Sequence, residues 1–183
     1  MVADTAAAGI IPDTPDFCLS QLKRGSWQTE MEFYLPVRAL APDVLSSLFD
    51  GLLDDELFGD FNVMLGRLHF QRSRGMLQGF IDMVFVHAGR YYLLDWKSNH
   101  LGNSPGDYGP ENMQEAMCRS AYILQYHLYT LALDRLLKLR LPGYDYETHF
   151  GGAIYLFLRG LSGTGSRNGI YHDRPSPDFL KRA

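Results

Sequence analysis

Cysteine is scarce in this chain: Cys18 and Cys118 are its two, too few for a disulfide framework or a structural zinc site. A reducing, cytoplasmic setting fits that count. Long apolar runs are missing as well, and none approaches the roughly 18 residues that a membrane-spanning helix needs. The opening MVADTAAAGI lacks both the basic region and the hydrophobic stretch of a secretory leader. Positive charge is not in excess either. Seventeen Lys and Arg stand against 21 Asp and Glu, a formal net charge of −4. The chain as a whole therefore exerts no attraction on nucleic acid or anionic membranes. Binding to DNA would need a local basic groove or positive charge from a larger assembly.

What is present is an ordinary globular composition, 46% hydrophobic and 21% charged over 183 residues, which suits one domain with a real core. Residues 1–16, with two prolines and an alanine run, read as a flexible segment, and 17–183 as the domain. Cys18 to Leu22 is short enough for one helical turn. Thr29 to Leu35 alternates as a strand does. Pro42-Asp43 opens a helix with Val44, Leu45, Leu48 and Phe49 on one stripe. Leu52 to Asp60 reads as an acidic loop or short second helix, Met64 to Gln71 as a weak strand, and residues 72–75 as a turn. His100 to Pro110 is a loop by composition. Glu111 to about Leu139 predicts a long helix, breaking near Arg119-Ser120, with Ala121, Leu124, Leu128, Leu131, Ala132, Leu136 and Leu139 as its apolar stripe. Pro142-Gly143 ends it. Ala153 to Leu158 is the uninterrupted apolar run of a strand buried on both faces. The expected class is α/β, a mixed sheet with a central hairpin and flanking helices.

The richest signal is Gly79-Phe-Ile-Asp82, followed thirteen residues after its aspartate by Asp95-Trp96-Lys97. Phe80 to Val86 and Tyr91 to Trp96 are rich in β-branched and aromatic residues, and Ala88-Gly89 between them predicts a β-hairpin. A two-residue loop pairs His87 with Arg90 and, carried down the ladder, sets Asp82 opposite Asp95. Opposite residues share a face with β-carbons about 4.5–5.5 Å apart, and Lys97, two residues on, shares it too. Like charges so placed destabilise a sheet, which calls for a cation between them. Two carboxylates with water and phosphate oxygens suit Mg²⁺ or Mn²⁺, and an ammonium alongside would orient an attacking water. The plainer reading makes the aspartates strand-end polar residues, with Lys97 paired to one of them. Arg72, Arg74 and Arg90 are candidate phosphate contacts, and Glu32 a candidate neighbour of the metal face; solvated side chains are the alternative for each.

In GFIDMVFVHAGRYYLLDWKSNHLG, LQYHLYTLALDRLL and YDYETHFGGAIYLFLRG the sequence resembles the C-terminal nuclease domain of RecB. RecB is the helicase–nuclease subunit of bacterial exodeoxyribonuclease V (RecBCD), and its nuclease belongs to the PD-(D/E)xK superfamily. The D-x-K core alone is a weak signal, whereas an ordered string of matches in three segments from about Glu30 to the tail is specific. The resemblance implies a restriction-endonuclease-like core that hydrolyses DNA during double-strand break repair and recombination. It implies Mg²⁺ (Mn²⁺ as substitute), a bacterial cytoplasmic location, and RecC-like and RecD-like subunits as partners beside DNA.

Residue by residue, Asp82 and Asp95 match the family's metal-binding aspartates and Lys97 its catalytic lysine. Trp96 stands where a backbone carbonyl completes the metal shell. Gln125 and Tyr129 match the Q-x-x-x-Y motif associated with holding the DNA backbone, and their spacing puts both on one helix face. One departure matters. The family carries a further metal-ligating histidine on a helix ahead of its first core strand, whereas the first histidine here is His69. The expectation is a fragment that starts after that element, or a shortened version, with the isolated chain slow or inactive. His87, His100, His127, His149 and His172 read as packing or solvated residues. A non-catalytic nuclease-fold scaffold that docks DNA or a partner subunit is the competing class. An iron–sulfur exonuclease is excluded, because two cysteines cannot build a four-thiolate site.

Overall fold

Five strands form one mixed sheet in the order β1-β2-β3-β4-β5. They are β1 (Trp27–Leu40), β2 (Ser73–His87), β3 (Arg90–Lys97), β4 (Phe150–Phe157) and β5 (Ile170–Asp173). The structure, a computed structural model, describes residues 8–12, 14–69, 71, 73–161 and 166–183. Every neighbouring pair is antiparallel except β3 and β4, which run parallel. A parallel pair needs a crossover. Here it carries a 3₁₀ turn at Pro105–Tyr108 and the helices α3 (Pro110–Arg119), α4 (Tyr122–Arg140) and α5 (Tyr146–His149). Helices α1 (Pro42–Phe49) and α2 (Asp55–Gly66) link β1 to β2, and α6 (Pro177–Arg182) closes the chain. The α/β class, with a hairpin at the centre of a mixed sheet, is the expected one, and is consistent with a restriction-endonuclease-like core.

The hairpin turns where expected. Ala88 and Gly89 both take positive φ, 49° and 78°, the geometry of the two-residue turn that matches strand twist. His87 pairs with Arg90 and the ladder runs to Met83–Leu94. It stops there, one step short of placing Asp82 opposite Asp95.

The reason lies in β1. Its register with β2 passes from Thr29–Met83 to Met31–Ile81 and skips Glu30–Asp82. Glu30 is left-handed, at φ 49°, in the middle of a strand. Core membership changes at the same point. On one side of the kink Val84 and Leu93 join the helix-side core, while Met83, Phe85, Tyr92 and Leu94 join the cluster on the opposite face. Beyond it, Ile81 of β2 and Met31, Phe33 and Leu35 of β1 face the helices. The two strands thus exchange faces across Glu30 and Asp82, and β2 departs from β3.

Both faces of the sheet are covered. On the helix side, Ala153, Tyr155 and Phe157 pack with Phe49, Phe61, Met117, Ile123, Tyr126 and Leu133. On the other, Ile154 and Leu156 pack with Ala8, Ile10, Ile11 and Phe17. The reading of residues 1–16 as flexible is therefore corrected at Ala8, Ile10 and Ile11, which are buried, residues 1–7 and 13 lying outside those described. Each such isoleucine side chain stabilises by about 1.5–3 kcal/mol, which offsets part of the backbone entropy of ordering the segment.

Two further readings change. Met64 to Gln71 is not a strand: α2 runs through Gly66, capped by Asp54, whose side chain accepts from the Glu56 and Leu57 amides. Of the expected turn at 72–75, residues 73–75 belong to β2, and Arg72 lies outside the described residues. The long helix does break, at Ser120-Ala121, and Leu131 and Ala132 of its expected stripe are buried, but most of the inward face is different. Ile123, Tyr126, His127, Thr130, Leu133 and Leu137 face inward, while Leu139 is largely exposed. Two polar members of that stripe are hydrogen-bonded: Tyr126 donates to Asp173, and the His127 ring pairs with the Ile123 carbonyl. Burial lowers the His127 pKa to about 4, so the ring is neutral.

The kink makes a prediction at Glu30. Glu30→Val, which cannot adopt the left-handed region without a clash, should destabilise the fold by about 2 kcal/mol, and Glu30→Gly should be neutral or slightly stabilising. Urea unfolding measures both. Equal stability of the two variants would contradict a left-handed residue here.

Candidate functional site

Asp82, Asp95 and Lys97 come together where β2 leaves β3. With its backbone partner gone, the Trp96 amide donates instead to Asp82 Oδ2 at 2.9 Å, so the carboxylate itself joins the two strands. Asp95 stays on β3, paired with Tyr155 of β4, and is 3% exposed. Lys97, on the same face of β3, sets its Nζ 2.5 Å from Asp95 Oδ1, and no hydrogen-bond donor among the described residues satisfies that buried oxygen. Burial raises the Asp95 pKa, the Lys97 ammonium pulls it back, and the nearby charge of Asp82 raises it again. The two aspartates are therefore neighbours on one face, as expected, although not as ladder partners.

Helix α4 closes the site from above. Tyr122, Gln125 and Tyr129, three and four residues apart, share one face. Gln125 Oε1 accepts from Lys97 Nζ at 3.0 Å and from the Tyr155 hydroxyl at 3.0 Å, and its Nε2 donates to the Tyr129 hydroxyl at 2.9 Å. Burial, with the Asp95 charge behind it, pushes the Tyr129 pKa up to about 12, so its hydroxyl keeps its proton. Burial likewise raises Tyr155, with contributions from both aspartates. Lys97 Nζ lies 3.8 Å from the ring centre of Tyr122 and 4.9 Å from that of Tyr155. The Tyr122 hydroxyl in turn donates to Asn99 Oδ1 at 3.1 Å, on the loop just after Lys97.

An apolar groove of about 270 Å³ adjoins this cluster, lined in part by Phe33, Leu77, Leu124 and Leu128, with Gln125 and Tyr129 at its edge. Gly79 makes it possible. A β-carbon there would lie 2.6 Å from the Phe33 ring, so only glycine lets that ring cross β2 and meet Tyr129 edge-on at 5.5 Å.

The site thus unites Asp82, Asp95, Lys97, Gln125 and Tyr129. Trp96 contributes its amide to Asp82, and its half-buried side chain packs toward the opposite face of the sheet. Glu32 is a surface carboxylate, the second of its two readings: it is exposed and bonded to Tyr34 and Gln78 on the solvent side of β1 and β2. Arg90 donates to the Glu147 and Phe150 carbonyls and ties β3 to α5. Arg74 stands exposed at the start of β2. Sequence reasoning missed Tyr122, Tyr155 and Asn99. Tyr122 is one helical turn before Gln125, a signal within reach. Tyr155 sits inside an all-apolar run, where nothing marks its hydroxyl.

Two carboxylates, one with an oxygen short of donors, fit a hard divalent cation in kind. They fall short in number. Among the described residues no group of three or more His, Cys, Asp or Glu side chains converges. An ion of the Mg²⁺ type commonly keeps several waters and takes only one or two carboxylates, so the pair suffices as an anchor.

The buried ion pair has a testable cost. Lys97→Met leaves Asp95 an uncompensated buried charge and should destabilise the fold by about 3–5 kcal/mol near neutral pH. Adding Asp95→Asn should return much of that loss. Urea unfolding of the single and double variants checks it, and additive effects would contradict the coupling.

No protein-family model matches the chain. The RecBCD enzyme subunit RecB of Escherichia coli is 49% identical over 162 residues, which is 88% of this chain and 13% of that protein. The Haemophilus influenzae RecB is 41% identical over 82% of the chain and 12% of its own length. That of Mycobacterium tuberculosis is 40% identical over 73% of the chain and 13% of its own. The chain spans about an eighth of the length of these relatives.

Proposed function

This chain is a homologue of one segment of RecB, a subunit of the RecBCD enzyme, and from that premise we propose that it is a metal-dependent DNA nuclease domain of a RecB-like exodeoxyribonuclease V subunit. It would hydrolyse phosphodiester bonds in break repair and recombination. RecC-like and RecD-like subunits and DNA would be its partners in the whole protein. Among the described residues no helix is long and apolar enough to cross a membrane. The observation that carries the reading is the buried Asp95–Lys97 pair with Asp82 on the same face, in a segment homologous to RecB.

Asp82 and Asp95 would hold the divalent ion, with the Trp96 carbonyl as a further ligand. Such an ion, when bound, supplies positive charge that polarises the phosphodiester and lowers the pKa of a bound water. Lys97 places its ammonium next to Asp95, where it orients the attacking water. The water oxygen would bond to phosphorus as it gives up a proton to solvent, the phosphorus–oxygen ester bond would break, and the departing oxygen would take a proton back from solvent, so that no net proton is gained or lost. Gln125 holds the ammonium in place. With Tyr129 it faces the apolar groove, where a strand of DNA can lie along α4.

One observation favours a second reading. The two acids stand without a third acidic, histidine or cysteine ligand among the described residues, as a docking scaffold would allow. Calorimetric titration of this chain with Mn²⁺ separates the two. A nuclease site gives heat that Asp82→Ala removes, and a scaffold gives none. In the full-length protein assembled with its partner subunits, Asp82→Ala and Lys97→Gln should each lower Mg²⁺-dependent DNA hydrolysis by about 10²-fold or more, and chelation of the metal should abolish it. Undiminished hydrolysis by either variant would refute the assignment.

A further inference from the structure

Lys97 is one of four lysines in the chain and is almost fully buried, 8% exposed. An ammonium has three protons to donate. Gln125 Oε1 accepts one of them, Asp95 Oδ1 faces the ammonium as its ion-pair partner, and two aromatic rings stand beside it. The ring centres of Tyr122 and Tyr155 lie 3.8 and 4.9 Å from Nζ. A ring face carries partial negative charge, so a cation within about 6 Å of the centroid is attracted to it, most strongly where water is excluded. Neither ring is free to turn. The Tyr122 hydroxyl is tied to Asn99, two residues past Lys97, and the Tyr155 hydroxyl to Gln125. Tyr155 is itself 1% exposed. Each tyrosine therefore presents its ring to the ammonium and anchors its far end, Tyr155 to the Gln125 that also bonds Lys97 and Tyr122 to the loop that follows it.

We propose that Tyr122 and Tyr155 form an aromatic cage that positions the Lys97 ammonium beside Asp95, and that Tyr122 extends the helix-face motif to Tyr122, Gln125 and Tyr129. The proposal rests on the nuclease reading of the site. Asp95 and Gln125 fix the distance of the ammonium from the sheet, and the two ring faces fix its direction. A buried lysine held by the carboxylate and amide alone retains the freedom to swing about its last bonds. An aliphatic residue in place of Tyr122 would fill space without attracting the cation. Both rings act through Lys97 and are positioning residues.

The test has two arms. In this chain, NMR of ¹³C-labelled lysine reads the ε-methylene protons, which a ring face shifts upfield. Lys97 should be displaced upfield of Lys23, Lys138 and Lys181, should move only part of the way back in Tyr122→Phe, which keeps the ring face but loses the Asn99 hydrogen bond, and should return toward them in Tyr122→Leu. Should Tyr122→Leu fail to fold, Asn99→Ala loosens the ring without emptying its place and should move the same signal part of the way. An unshifted Lys97 in the unsubstituted chain overturns the cage outright.

In the assembled full-length protein, Tyr122→Leu should lower kcat about tenfold with KM for DNA changed by less than about twofold, and Tyr122→Phe should recover most of that loss. A change confined to KM would make Tyr122 a DNA contact and overturn the proposal. Lys97→Gln, measured alongside, tells the two failures apart. If Lys97→Gln is inactive while Tyr122→Leu keeps full kcat, the cage falls and the nuclease reading stands. If Lys97→Gln is fully active, the nuclease reading falls, and the cage falls with it as a positioning device.

Discussion

The exchange of faces at Glu30 and Asp82 is the constraint on which the site depends. A strand ladder that continued past Met83–Leu94 would bond the Trp96 amide to the main chain of β2. The left-handed Glu30 ends that continuity, and the Asp82 carboxylate takes up the Trp96 amide instead. A non-glycine residue in that conformation costs about 1–2 kcal/mol. Strain of this kind persists only where the surroundings over-determine it, and here the apolar side chains on both sides of the kink do so. Ile81 and Met31 are held by the helix-side core, Met83 and Phe85 by the opposite cluster, so the strands cannot straighten without exposing one set.

The charged core of the site follows from the same geometry. Asp95 is paired on β4, buried, and turned toward the helices with Lys97. Burying a carboxylate and an ammonium is costly, and their attraction offsets the cost only when the remaining donors and acceptors are met. Gln125 meets the ammonium, and Tyr155 and Tyr129 meet the Gln125 amide. Asp95 Oδ1 is left short of donors, and its pKa is raised. In the proposed function the divalent cation sits at this under-satisfied oxygen and the second carboxylate beside it. In the protein without one, the Lys97 ammonium serves as its counter-charge.

Much of this was legible in the sequence because it is local. The Ala88-Gly89 turn sets the hairpin register, the two-residue step from Asp95 to Lys97 puts them on one face, and the four-residue step from Gln125 to Tyr129 does the same on a helix. The rest depends on tertiary context. Nothing in Glu30 announces a left-handed residue, so the register was carried one pair too far. The α4 stripe expected from its apolar residues holds at Leu131 and Ala132, but Tyr126, His127 and Thr130 are buried with them, Tyr126 bonded to β5 and His127 to its own helix backbone. Ile10 and Ile11 looked like tether because no periodicity surrounds them. The open second face of the sheet decides their place. The α2 helix could have been found, since Asp54 caps it and Phe61 and Leu65 are spaced by four.

The most direct measurement is an anomalous diffraction map from crystals of this chain grown with Mn²⁺. A single peak coordinated by both Asp82 and Asp95, beside the Lys97 ammonium and below the Tyr122–Gln125–Tyr129 face, is the predicted result. A chain in which the two carboxylates point to opposite sides of the hairpin, or a peak seated away from both, would contradict the account.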